Sequence, residues 1–438
     1  MSLAPLDCPG RRRWRLGAIV FAIAGLLAAP ALAQWRGHGG PVRAVAVSED
    51  GARAVSGSFD SSAIVWSVSR GTAEQVLRFH DSAVNAVAFL PDGRIATGGE
   101  DGRVAIWQAG EALPQQVLTG HSAPIVALAT APDGARVASA SWDRTIRVWP
   151  VDGGAPIVLE GHQQNVNGVA FSRDGAAVVS VSHDPQIRIW PLGGGAPTVA
   201  TLAAPLNAVA VTADDEIVAG GADGRVYFYS LHGEPKGVVV ATERPIIAVA
   251  LSPDGQLVAA AGIQGAVSII ERPTRRLART LVGPGLPVWA AAFLPDNRTL
   301  ITGGTDRLVR WWDAATGAPI GAVPMAPADD PLAAYAGNRG AEVYRACIAC
   351  HTLDPQEGIR AGPSLHRIFG RRNASLPGYN YSDALRGMDI VWTPETVSKL
   401  FEVGPLRYTP GTKMPEQTIG SAEDRAALVD FLAKATTK

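Results

Sequence analysis

The chain has very little cysteine, three residues in 438, and only four methionines. It has no long basic run beyond residue 15, which argues against nucleic acid as a partner, because phosphate backbones are held by clustered Lys and Arg. After residue 33 it has no apolar stretch near the roughly 20 residues that a membrane-spanning helix needs. Calcium-loop spacing of alternating acids is missing as well. Charged residues make up only 18%, against 48 Gly and 32 Pro, so a turn-rich, largely β protein is expected. The length exceeds what one ordinary core fills, so at least two domains are expected.

Residues 1–33 have the form of an export signal. Arg11, Arg12, Arg13 and Arg15 precede the apolar run Leu16 to Ala29, then come Pro30 and the small residues Ala31 to Ala33. Cleavage before Gln34 removes Cys8 and moves the formal net charge from −1 to −4, since four Arg and one Asp are lost. The expected location is the periplasm, with no membrane span in the mature chain. An uncleaved N-terminal anchor is the alternative.

From Gly37 the chain repeats. His38, His80, His121 and His162 recur at intervals of 42, 41 and 41 residues, and Trp66, Trp107, Trp149 and Trp190 at 41, 42 and 41. A fixed period near 41 is the mark of a propeller array. Within each unit, alternating segments such as "VNAVAF" and "VAIW" have strand periodicity. Turns such as "PDG" close the hairpins, with Asp favouring the turn and Gly supplying positive φ. Three more units, beginning "LNAVAV", "IIAVAL" and "VWAAAF", are degenerate and bring the count to seven. Seven blades close a ring without an exposed sheet edge. Only three residues precede the first Gly-His after cleavage, so "PIGAV" (319–323) is expected to supply the seventh blade's outer strand, without a strong interlock of the chain ends.

On the Gly-His dipeptides, hairpin Asp residues and late Trp residues, the array resembles the WD40 repeat family. The resemblance implies a structural hydrogen-bond network inside the blades, carried by His38, Ser56, Asp60 and Trp66 in the first. His80, Asp101 and Trp107 would serve the second, His121, Ser139, Asp143 and Trp149 the third, and His162, Asp184 and Trp190 the fourth. Blades five and six lack most of these residues, so their surfaces are candidates for contact with a partner. Propellers of this kind mostly bind partners, and the fold alone names none.

Pro324, Pro327 and Pro331 mark a stiff linker over 324–331, and the propeller is expected to occupy 34–323. Residues 332–438 change character. "SAEDRAALVDFLAKA" reads as a helix capped by Ser421, with Leu428, Phe431 and Leu432 as its apolar stripe. The segment "CIACH" places Cys347, Cys350 and His351 together. Structural zinc wants a second cysteine pair, which the mature chain lacks. A redox dithiol would sit in a βαβ pattern, which is not visible. C-x-x-C-H is the spacing of covalent c-type haem attachment. Met414, in a Pro-Gly turn followed by Thr-Lys-Met, is the candidate second axial ligand.

The strings "GAEVYRACIACH", "GPSLHRIFGRR", "GYNYSDAL", "VWTPET", "PGTKMP" and "DRAALVDFL" resemble a class I cytochrome c of the c2 or mitochondrial type. The resemblance implies an all-α domain with one covalent haem c on Cys347 and Cys350, and with His351 and Met414 as axial ligands. It implies that the Pro363 carbonyl orients His351, and that Tyr381 and Trp392 bond a haem propionate. Gly340 would let the first helix approach the last at Phe431. Phe401 stands where many members have Tyr, so one hydrogen bond to the Met sulfur is missing. Arg345, Arg407 and Lys413 are candidates for docking a redox protein. The expected whole is a multidomain periplasmic electron carrier: an all-β seven-bladed WD40 propeller followed by an all-α cytochrome c domain. The alternative is a haem-containing subunit of an oxidoreductase, cd1-like or part of a dehydrogenase complex, with its chemistry elsewhere.

Overall fold

The computed structural model describes residues 34–437, except 284, 321–331, 349, 355–358 and 415–416. The signal segment and the linker 324–331 therefore lie outside the described residues. Twenty-eight strands, β1 (Gln34–Arg36) to β28 (Leu308–Asp313), form seven four-stranded antiparallel sheets. Six blades take four consecutive strands each. The first is β2 (Val42–Val47), β3 (Arg53–Ser58), β4 (Ser62–Ser67) and β5 (Thr72–Arg78).

The seventh blade departs from the sequence expectation. Its order is β1, β28, β27 (Thr299–Gly304), β26 (Val288–Phe293), so the outermost strand comes from the N-terminal end. Register pairs Gln34 with Arg310, Trp35 with Val309 and Arg36 with Leu308. Of the expected outer strand 319–323, residues 321–323 lie outside the described residues; the described part makes a bridge between Pro319 and Trp312, followed by the Ile320 N–H donating to the Trp311 carbonyl. Three residues suffice because one of them is Trp35. Its ring is 1% exposed, stacks on Trp66 at 5.2 Å and meets Trp311 edge-on at 5.1 Å. The ends are thus interlocked through an aromatic core.

The network expected inside the blades is present in the first four. In the first, the Trp66 indole N–H donates to Ser56 Oγ at 2.7 Å, and Ser56 Oγ meets His38 Nε2 at 2.8 Å. His38 Nδ1 lies 2.9 Å from Asp60 Oδ2, which also accepts the Gly39 N–H at 2.7 Å. Thr97 replaces the serine between His80 and Trp107, while Ser139 and Ser180 serve the third and fourth blades. Asp101, Asp143 and Asp184 close the relays at His80, His121 and His162. Burying these polar groups is tolerated because each finds a partner. In the fifth blade Asp223 instead accepts from Tyr227 at 2.6 Å, and in the seventh Trp312 keeps Thr302 at 2.9 Å.

These relays give the propeller a defined acid response. Burial holds the His162 imidazole below its ordinary value of 6.5, outweighing its hydrogen bond to the Asp184 carboxylate. The unfolded chain then binds more protons below 6.5, so this contribution is complete above that pH and declines as pH falls. Burial would raise Asp101 and Asp143, but hydrogen bonds from His80 and His121, with Arg103 and Thr145, hold both below the ordinary 3.8. Their contribution is present above 3.8 and is lost below it. The thermal midpoint of the propeller is expected to be level near neutrality, to fall from about pH 6.5 and to steepen below about pH 4. His162→Asn should flatten the upper part of that fall in a calorimetric pH series.

The C-terminal domain is helical. A 3-10 turn (Ala333–Tyr335) leads to α1 (Arg339–Tyr344), capped by the Asn338 side chain. Then come α2 (Asp383–Arg386), α3 (Pro394–Val403), α4 (Pro405–Tyr408) and α5 (Ala422–Ala435). Thr393 and Thr396 form a capping box on α3, and Ser421 caps α5 by accepting the Asp424 N–H at 3.1 Å. The core gathers Tyr344, Cys347, Leu400, Phe401, Leu428, Phe431 and Leu432. A Cβ at Gly340 would stand 2.5 Å from the Phe431 Cβ, so glycine is what lets α1 cross α5 this closely.

Candidate functional site

The site begins where α1 ends. Tyr344 is fully buried, and the chain turns so that the Cys350 and His351 N–H groups both return to the Cys347 carbonyl, at 3.1 and 3.0 Å. One turn therefore carries two thiols and an imidazole. Burial pushes both thiols up to about 12, with Asp60 of the propeller adding to the effect at Cys350. A disulfide-shuttling pair needs the opposite, a depressed thiol pKa.

His351 Nδ1 lies 2.7 Å from the Pro363 carbonyl oxygen. That acceptor fixes the proton on Nδ1 and leaves Nε2 with its lone pair, the arrangement of a metal-ligating histidine. Burial lowers the imidazole's pKa despite the Pro363 bond, so the ring is held neutral. A Cβ on Gly362 would fall 2.6 Å from the ring, so glycine is needed beside it.

Two residues that sequence reasoning missed hold this turn from the other side. The Tyr344 hydroxyl donates to the His351 carbonyl at 3.2 Å, and Arg360 Nη1 donates to the same oxygen at 3.0 Å and to the Ile348 carbonyl. No motif announces either one, because each acts on backbone.

Met414 follows the turn at Thr409–Thr412, its N–H on Thr412 Oγ1 at 3.1 Å. Its side chain packs against the same core that contains Cys347 and Phe401. Phe401 is 6% exposed, an apolar wall where a hydroxyl would otherwise stand. Trp392 borders this core too. Tyr381 lies against Tyr379 with ring centroids 4.5 Å apart, and the Tyr379 hydroxyl donates to the Ala361 carbonyl at 2.8 Å. The donor set is thus two neutral thiols, one oriented imidazole and one thioether around an apolar core. It fits a covalently attached haem: thiols to bond the vinyl groups, nitrogen and sulfur for the iron.

The cysteine-bearing face does not look into open solvent. The Arg78 guanidinium, at the end of β5, donates to the Ala361 carbonyl at 2.9 Å and the Arg360 carbonyl at 2.7 Å. It also lies 4.0 Å over the Tyr379 ring. The Ala361 N–H donates to the Gly37 carbonyl at 2.9 Å. Asn380 reaches the carbonyls of Arg78 and Ala112 at 3.3 and 3.1 Å. Lys413, expected to face a partner protein, instead donates to the Phe79 carbonyl at 3.2 Å and to that of His80, with Asp81 3.8 Å away. Gly39 packs so tightly on Cys350 that any Cβ there would collide with its sulfur. The three histidines outside these sets stand singly: His183 meets Asn207 at 3.2 Å, and His232 and His366 lie on separate loops.

Comparison with known proteins divides the chain in the same way. The family model "WD domain, G-beta repeat" matches residues 30–67, 71–108, 113–150, 156–191 and 275–313, leaving all of blade five and the three inner strands of blade six unmatched. The model "Cytochrome c" matches residues 337–436. Cytochrome c of Cochliobolus lunatus is 39% identical over 99 residues, 22% of this chain and 91% of that protein. Cytochrome c of Arabidopsis thaliana is 39% identical over 99 residues, 22% of this chain and 88% of its own length. Cytochrome c type-1 of Ascaris suum is 37% identical over 102 residues, 23% of this chain and 88% of its own length.

Proposed function

Because the chain belongs to the cytochrome c family through its C-terminal domain and carries WD40 repeats before it, we propose that it is a periplasmic one-electron carrier whose propeller docks a redox protein. Covalent haem c bound here would supply one-electron redox chemistry at its iron. The residues here do the holding. Cys347 and Cys350 would fix the group to the chain, His351 Nε2 and Met414 Sδ would be offered to the iron, and the Pro363 carbonyl keeps the imidazole in one tautomer. With an imidazole and a thioether both given to the iron, no place would be left on it for a substrate, so electron transfer rather than oxygen or nitrite chemistry follows. Thioether ligation favours the reduced iron, and the apolar surroundings of Phe401 and Trp392 disfavour added charge. The single observation carrying this reading is the His351 Nδ1 contact with Pro363, on the turn that also bears both thiols.

The docking half of the proposal draws on the propeller. Protein interaction is the common use of WD40 repeats. Blades five and six, which depart most from the repeat, leave Val238, Val240 and Val282 exposed on their outer strands. Export is supported by the arginines and apolar run before Gln34.

The test uses chain recovered from the periplasmic fraction, whose mass should correspond to a start at Gln34 with one haem. Met414→Ala is expected to open a position that binds added imidazole or carbon monoxide. It should also lower the midpoint potential on the order of 0.1 V or more, within the roughly 0.8 V that axial ligands span. Unchanged spectra and potential would remove Met414 from the iron.

A further inference from the structure

The contacts between the two domains gather on one rim of the propeller, and the repeat itself shows that this rim is specialised. The residue after the conserved His is Asp81, Ser122 or Gln163 in blades two to four, but Gly39 in the first. Gly39 has no positive φ that would require glycine, so its backbone suits any residue. What requires glycine is the Cys350 sulfur pressed on it. Two residues before the conserved His stand Arg36, Arg78, Thr119 and Glu160 in blades one to four, and of the two arginines Arg78, in the second, is the side chain that grips the Ala361 loop. The Gly of the Gly-His dipeptide is Phe79 in the same blade. Its carbonyl accepts Lys413, and its ring lies 4.5 Å beneath Arg103. Two departures from the repeat, Gly39 and Phe79, thus coincide with one contact, and Arg78 of the same rim joins them there.

We propose that the rim of blades one and two is a built-in docking site for the cysteine-bearing face of the cytochrome domain, and that it shields this face from other proteins. This rests on the reading of the domain as an electron carrier. A partner protein that needs the Cys350 and Lys413 face reaches it only when the domain leaves the rim. The contact suits release. It is made of hydrogen bonds to carbonyls, one stacked guanidinium and a long ion pair, and it borders a partly open cavity of about 450 Å³ lined by Gln75, Arg78, Ile359 and Asn380 rather than a closed apolar core. Interfaces of this polar kind between domains permit relative motion.

Gly39→Gln installs the residue that blade four carries at the same place, so the propeller can fold with it while Cys350 is displaced. Arg78→Thr installs the residue of blade three and leaves Cys350 untouched. In the full chain both are expected to raise the radius of gyration in X-ray scattering and to speed amide exchange at Ala361. The ferrous variants should reduce ferric mitochondrial cytochrome c faster, within the roughly 5–150-fold span of two-state coupling, while ferricyanide reacts at the rate of the parent. Scattering and exchange report docking whether or not the iron ligation is as proposed, so failure of the carrier reading is distinguishable. Unchanged scattering and exchange in both variants would overturn the docking site. Release without a faster reaction with the protein oxidant would overturn the shielding.

Discussion

Replacing both Cys347 and Cys350 with serine is expected to give a chain with no pigment that survives acid–acetone extraction, a complete loss in the pyridine haemochrome assay. Each thiol supplies one bond, so Cys347→Ser or Cys350→Ser alone should retain colour with an absorption band shifted to the red, because one vinyl group stays conjugated. The turn that presents the thiols is built from backbone bonds to the Cys347 carbonyl and is braced by Tyr344 and Arg360, none of which the serines disturb. The propeller should be unaffected, since its core is separate from the one containing Cys347. A double variant that kept its covalent pigment would dismiss the assignment of these residues.

Trp35→Ala is expected to have the largest effect on stability. The indole is fully buried between Trp66 of the first blade and Trp311 of the seventh, and truncating a buried Trp costs about 3–5 kcal/mol. The loss falls on the seam where the ring closes. Besides a lower unfolding midpoint, amide exchange should rise along Leu308 to Arg310, the partners of Gln34 to Arg36. Arg36→Ala, at the exposed end of the same strand, should do much less. Equal destabilisation by the two would mean that the aromatic seam is not what closes the ring.

The haem-binding turn and the propeller were legible for one reason: both are written in short-range patterns. C-x-x-C-H confines three donors to five residues, and the hairpin Asp and late Trp recur at a period that needs no knowledge of contacts. Ser56, Asp60 and Trp66 are likewise within one blade of His38. Pro363, twelve residues beyond His351, came from the family resemblance rather than from any local pattern. Tyr344 and Arg360 escaped notice because they bond carbonyls, which every residue has.

Sequence alone therefore determined two domains, seven blades and the residues offered to a haem, because each rests on spacing along the chain. Tertiary structure alone decided which end closes the ring. A three-residue strand counts as too short until Trp35 is seen between two other indoles. It alone also turned Lys413 and the Cys350 face toward the propeller. Arg78 and the Ala361 carbonyl it grips are 283 residues apart, and no periodicity links them. A guanidinium, a lysine and a glycine look like ordinary surface residues until folding places them against one another.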